Sequence, residues 1–352
     1  MAFRKPACRV EINGVDYTSR FQPRVKSIKV SDKDGLTSDT CSIKLADVDG
    51  SIALPTENDM LTVYLGHSDT GVGLVFQGKI DEVRSTGTRG GGRELTIGAK
   101  GFDSTGKAKE PAQKHKDNAK LKDVATEWGK AAGMKEVLID DELGAIEDDY
   151  WSMNNESFIA WGQRVAGENG ATFKVQGDRA IFVQANGGKT ASGKDLPTIT
   201  ARMGEGGNLL KWDISPVLGR AKHAKAEIEF YSAKEGRLKT KEIEIGDLDA
   251  TGPVLRQKLR APDEKNAERR AKSGKKKVER KSGEGSISIV GTPLAKPECK
   301  LILIGAREGI DGDYRVTGVV HDYRPSGYDC DLDLGKPEGS AGKDSRRKTK
   351  KP

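Results

Sequence analysis

The sequence predicts a mainly β chain with α+β insertions. Three observations predict it. Apolar residues alternate with polar ones over the first hundred residues, a helix-period block follows, and alternation returns after residue 200. The first block runs Val10 and Ile12, then Ile28 and Val30, then Cys41, Ile43 and Leu45. It continues with Leu61, Val63 and Leu65, with Phe76, Gly78 and Ile80, and with Leu95, Ile97 and Ala99. Turn signals at Asn13-Gly14, Asp34-Gly35, Asp49-Gly50 and Gly90-Gly91-Gly92 separate these runs. Six or so strands at hairpin spacing predict an antiparallel barrel or sandwich with one polar face.

The period changes near Gly106. Leu121, Val124, Ala125, Trp128 and Ala132 share one face of a helix over 118–133, with Gly133 as its stop. KEVLID reads as a strand. A second helix runs from Ser157 to Asn169, with Phe158, Trp161, Val165 and Ala166 inward and Gly170 as its stop. FKVQGDRAIFV reads as a hairpin turning at Gly177-Asp178. After a glycine-rich stretch, strands return in AKAEIEFYS, LKTKEIEIGD, SISIVG, CKLILIG, YRVTGVVHDY and YDCDLDL. Residues 263–281 form a polar helix whose small face carries Ala267, Ala271, Gly274 and Val278. Gly274 weakens that helix by about 1 kcal/mol relative to Ala, so it needs a neighbour to pack on.

The expected division is a first β domain over 1–105, an α+β domain over 106–200 and a second β domain over 201–232 and 284–335. An insertion with the polar helix occupies 233–283, and a disordered basic tail occupies 336–352. Two all-β blocks in one chain are the main feature.

Composition excludes several classes. The 352 residues are 35% hydrophobic and 32% charged, lean for a compact enzyme. No apolar run reaches the roughly 18 residues of a membrane helix. The opening MAFRKPACRVEING lacks the apolar core of a secretory signal, so the chain is expected in the cytoplasm of its host until it is assembled. The net charge of +7 is localised. Residues 256–281 hold 12 Lys/Arg against 4 Asp/Glu, and residues 335–352 hold 7 against 2, so the rest of the chain is net acidic at −6. Neither basic segment contains an aromatic residue, whereas single-strand binders interleave aromatics for stacking. Cys8, Cys41, Cys299 and Cys330 lie in or beside strand runs without CxxC spacing and read as buried free thiols.

No catalytic, cofactor-binding or metal-ligating residue is assigned. His67, His115, His223 and His321 do not fall at metal spacing. His115, between lysines, is expected exposed, and His321, ending a strand, at a barrel rim. The acidic residues from Asp140 to Asp149 lack EF-hand spacing and read as a solvated loop. Asp311-Gly312-Asp313 reads as a hairpin turn. The run GTRGGG precedes a strand rather than a helix, so it is a hairpin tip and not a phosphate cradle.

The ordered motifs resemble the late control protein D family of tailed phages. Those are tail hub proteins similar in fold to the T-even phage hub and the N-terminal hub part of VgrG. INGVDYTSRFQPRVKSIKVSDKDGLTSDTCSIKLAD carries Gly14, Asp16, Thr18, Asp39 and Leu45 where the family has them. Pro55 and Leu65-Gly66 follow in SIALPTENDMLTVYLG, then Phe76, Gly78, Ile80 and Asp81 in LVFQGKIDEV. ESFIAWGQRVAGENGATFKVQGDRAIFV is similar to the helix and hairpin shared with VgrG. GTPLAKPECKLILIG and GIDGDYRVTGVVHDYRPSGYDCDLDL resemble the closing strands, with His321 at a recurrent strand-end position. One departure stands at Pro297-Glu298, where the family usually has glycine.

The resemblance implies two tube-type antiparallel β-barrel domains per chain and a structural role in the virion tail baseplate, without enzyme activity or cofactor. It implies a homotrimeric ring of six barrels that adapts a hexameric tail tube, or a tube-initiator protein, to a trimeric spike. Tape-measure protein and DNA would pass through the ring, and baseplate wedge proteins would contact it. DNA would not be specifically bound, and no membrane partner is implied. Unlike VgrG, the chain stops after the hub, so the spike is expected as a separate polypeptide. The alternatives are the hub of a tailocin or type VI-like injection machine, and a nucleic-acid or surface-binding module acting through the basic segments.

Overall fold

The computed structural model describes residues 4–33, 38–90, 92–101, 106–185, 187–190, 193–215, 225–244, 254–256, 260–280 and 284–338. The expected Asp34-Gly35 turn, Gly91, His223 and most of the basic tail lie outside the described residues.

The fold is mainly β with α+β insertions. The first β module comprises β1 (Pro6–Ile12), β2 (Val15–Asp16), the short α1 (Thr18–Phe21), β3 (Val25–Lys33), β4 (Thr40–Ala46), β5 (Met60–His67), β6 (Gly71–Thr88) and β7 (Gly92–Lys100). Alternation produces these strands as expected. In β4, Cys41, Ile43 and Leu45 are buried while Ser42 and Lys44 face outward.

The α+β unit follows: β8 (Ala112–Lys120), α2 (Leu121–Ala131), β9 (Glu136–Ile139), α3 (Asp141–Gly144), β10 (Glu147–Glu156), α4 (Phe158–Glu168), β11 (Ala171–Gln176) and β12 (Arg179–Gln184). Ser157 caps α4, its hydroxyl accepting the Ala160 amide at 3.2 Å. Trp128, Trp161, Phe158, Phe173 and Phe182 form its core. Gly162 is needed there, because a Cβ would lie 2.6 Å from the Phe173 ring. The acidic stretch is largely solvated as expected, with Asp141, Glu142, Glu147 and Asp149 exposed, but it is not a loop. Asp140 caps α3, accepting the Glu142 amide at 3.0 Å, and Glu147 to Asp149 begin β10. A side chain that satisfies orphan helix amides outcompetes hydration.

The second β module comprises β13 (Ile199–Arg202), β14 (Leu209–Ser215), β18 (Glu284–Val290), β19 (Lys300–Ile304), β20 (Gly312–Arg324) and β21 (Gly327–Glu338). Between β14 and β18 lie β15 (Lys225–Ser232), β16 (Arg237–Glu244), β17 (Leu255–Arg256) and α5 (Glu264–Arg280). The last four make their own layer, a three-stranded sheet under the polar helix. The boundary expected at 232/233 falls in the β15–β16 turn. Ala267 and Ala271 are fully buried against Ala226, Ile228 and Phe230, the neighbour that a glycine-weakened polar helix requires.

The two β modules are fused. β3 of the first pairs antiparallel with β20 of the second, Ile28 opposite Tyr323 and Val30 opposite His321. Among the described residues one sheet of 13 strands results, with a single apolar core running through both modules. β20 can serve both because it is long: Gly312–Arg315 pairs with β19, and 318–323 pairs with β3.

Candidate assembly interface

The two modules repeat one topology. Taken in chain order, the six main strands of each pair as first–fourth–fifth–sixth–third–second. In the first module this order is β1-β5-β6-β7-β4-β3, and in the second it is β13-β19-β20-β21-β18-β14. Irregularities coincide too. The register slips between Val25 and Ser27 on β3, and between Leu209 and Lys211 on β14. It slips between Ile80 and Glu82 on β6, and between Val316 and Gly318 on β20. One pairing differs, since β1–β5 is antiparallel and β13–β19 parallel. Bulges change strand direction and twist, so shared bulges mark equivalent places in two copies of one design. The sequence shows two β blocks but not this repeat, because the equivalent side chains differ.

The junction between the modules is specific. His67 Nε2 donates to the Gly291 carbonyl at 3.0 Å, and its ring lies 5.5 Å from that of Tyr328. A Cβ on Gly73 would meet the Pro293 ring at 2.8 Å, so glycine permits the close approach there. His321 is buried in the core instead of sitting at a rim. The pairing of β20 with β3 covers it, a contact across the chain that strand periodicity does not encode. Burial pushes its pKa down to about 4. His115 is exposed and stacks on Tyr150, with ring centres 6.2 Å apart.

The α+β unit is held by charge. Lys174 on β11 reaches Asp32 at 2.7 Å and Asp39 at 3.0 Å, all three largely buried. Burial and the neighbouring Asp32 charge push Asp39 up to about 7, against the pull of Lys174. The hairpin turn docks beside them, Gly177 N–H donating to the Gly101 carbonyl at 2.6 Å. From the other side, α5 straps the unit to the insertion. Arg269 pairs with Asp148, Arg270 with Glu168 at 3.0 Å, and the Ser273 hydroxyl donates to the Gly167 carbonyl at 2.6 Å.

The basic segment 256–281 is therefore not a bare positive patch in its described part. Besides those two arginines, Arg256 faces Glu227 at 3.1 Å, Arg260 faces Glu229 at 2.9 Å and Lys272 faces Glu268 at 2.7 Å. Paired cations release few counterions to a polyanion.

Chemistry-bearing groups are committed elsewhere. The cysteines are buried free thiols, their pKa values raised by burial. Among the described residues, no group of three or more His, Cys, Asp or Glu could hold a metal ion. A cleft of about 650 Å³ beside α1 is lined by Tyr17, Phe21 and Leu54, with Arg24 and Asp59. Its Arg24 is engaged by Asp49 at 2.9 Å, and its Asp59 accepts from Asn13 at 2.8 Å. Asp311 accepts three backbone amides, from Gly305, Ala306 and Arg307, which makes 305–311 a side-chain-closed turn.

Two of the open strand edges among the described residues belong to the main strands of the repeated modules, one on β14 and one on β6. β14 has β18 on one side and no strand on the other among the described residues. On β6, pairing with β5 stops at Lys79, whereas β7 continues to Thr88, so among the described residues the outer side beyond the bulge carries no strand. Open edges of this kind template strand addition.

No protein-family model matches the chain. A curated protein of Escherichia phage 186, named as a probable baseplate hub protein, is 27% identical over 369 residues. The match covers 94% of this chain and 92% of that protein. The crystal structure of the prophage MuSo2 43 kDa tail protein from Shewanella oneidensis superposes with a TM-score of 0.70 at 12% identity, covering 94% of this chain and 98% of that one. The E. coli c3393 protein, described as a type VI secretion component structurally similar to T4 bacteriophage tail proteins, superposes with a TM-score of 0.54 at 10% identity, covering 94% and 77%. At such identities the structural likeness is one of fold. These are the relatives that the sequence resemblance leads one to expect.

Proposed function

We propose that this chain, a phage baseplate hub-type tail protein, closes as three copies into a ring of six β modules. The ring would offer a pseudo-sixfold face to a hexameric tail tube or tube initiator, and a true threefold axis to a trimeric spike. Its role is structural and not enzymatic. The observation that carries this reading is the repeated topology, with its bulges in equivalent places, on one polypeptide. A single module per chain would give a threefold face to both neighbours. Two equivalent modules give three or six according to which symmetry the partner reads. A closed ring fixes its own stoichiometry, because every edge is used once around the circle.

The net acidic body outside the two basic segments suits a wall past which tape-measure protein and DNA would slide, since retention of phosphates needs unpaired cations. Wedge proteins would take the outer surface. The ion pairing of the α5 strap disfavours a nucleic-acid module.

Light scattering tests the reading directly. The expected mass is three times 38.0 kDa, and the expected image down the axis is a threefold ring with an open centre. A stable monomer, alone and with its spike, overturns it.

A further inference from the structure

Resting on that ring reading, we propose which surfaces close it. The open edge of β14 in one chain adds antiparallel to the open edge of β6 in the next, with Trp212 opposite Gly87, Asp213 opposite Thr86 and Ile214 opposite Ser85.

The template for this contact lies inside each chain. The β3–β20 pairing already joins a second-position strand of one module to a fifth-position strand of the other. Aligned on their shared bulges, Ile28 and Val30 on β3 correspond to Trp212 and Ile214 on β14. On the other side, Val319, His321 and Tyr323 on β20 correspond to Val83, Ser85 and Gly87 on β6. Transferring the internal register residue by residue gives the pairs above, with nothing adjusted.

Burial supports the transfer. Ile28, Val30 and Val319 are completely buried where β3 meets β20. Their counterparts Trp212, Ile214 and Val83 pack against the core but remain partly exposed. The same positions are covered inside the chain and half uncovered at its two ends. A second copy covers both ends with one contact, and each copy has one of each, as a closed ring requires.

Volumes match as well. At the internal junction a large Tyr323 faces a mid-sized Ile28. At the open edges the bulk is redistributed, so that a large Trp212 meets a glycine without a side chain. An aromatic laid across an edge glycine from the neighbouring strand is a recurrent way to stabilise it. Charge agrees, since Asp213 becomes the diagonal neighbour of Arg84, which otherwise bonds its own strand's Glu82.

Paired cysteines test the register. Thr86 and Asp213 are both exposed, so their replacement leaves the core untouched. Directly opposed strand residues stand about 4.5–5.5 Å apart, within disulfide range, whereas diagonal ones stand about 7–8 Å apart. Full-length chain carrying Thr86→Cys with Asp213→Cys is expected to yield, on oxidation, a covalent three-chain species on a non-reducing gel. Thr86→Cys with Lys211→Cys, two residues out of register, is expected to yield several-fold less. Trimers in light scattering that fail to cross-link in the first variant, or cross-link better in the second, overturn this register and leave the ring reading standing. Monomers at every concentration overturn both.

Discussion

The Tyr328 hydroxyl and His321 Nδ1 meet at 2.8 Å inside the fused core, with Cys330 Sγ 3.2 Å from the same nitrogen. All three residues are buried, and Tyr328 also lies against His67 of the first module, their rings tilted by 43°. A polar cluster thus sits where the two β modules join. A neutral imidazole suits it, because burial costs the charged form more hydration than the nearby Asp32 carboxylate returns.

That cluster sets an acid limit on the fold. The folded pKa of His321, about 4, lies below its ordinary 6.5. Between those values the unfolded chain binds the extra proton, so stability falls as pH drops from 6.5 to 4, by about 3 kcal/mol. Asp39 acts in the opposite sense. Its pKa of about 7 lies above the ordinary 3.8, so its contribution is present at low pH and is lost as pH rises from 3.8 to 7. The two slopes offset in the native chain. Denaturant unfolding across pH is expected to show a steeper acid loss in Asp39→Asn, and a decline towards neutral pH in His321→Gln. Parallel profiles for all three proteins would refute the assignment.

The Asp32–Lys174–Asp39 cluster is expected to be asymmetric under mutation. Lys174→Met leaves two buried carboxylates facing each other without a cation, at a cost of about 3–5 kcal/mol. Limited proteolysis should then cut between the first β module and the α+β unit. Equal protease resistance in the variant and the native chain would show that the lysine does not hold the unit in place.

Glu298 carries backbone strain. It sits at φ +69°, in the left-handed region, its N–H donating to the Val316 carbonyl and its own carbonyl accepting from Arg315. This is the turn where the resembled family usually has glycine. Glu298→Gly removes a left-handed penalty of about 1–2 kcal/mol and adds about 0.4–1 kcal/mol of unfolded-chain freedom. The variant is therefore expected to unfold at slightly higher denaturant. A clear loss of stability would mean that the Glu298 side chain anchors the turn more than its backbone strains it.

The amino-acid sequence by itself determined the elements. Alternation through Cys41, Ile43 and Leu45 can only make a half-buried strand, and the Leu121–Val124–Trp128 spacing can only bury one helix face. The tail-hub resemblance was legible because an ordered series of short motifs survives where single ones do not. Tertiary structure alone decided three things: that β20 reaches beyond β19 to take β3, that His321 is thereby buried, and that the same bulges recur in both modules. The physical reason is range. Periodicity reports which way a side chain points relative to its own strand. Which strand lies alongside is set by apolar surfaces meeting across 290 or so residues of chain, and nothing local in either segment records that meeting.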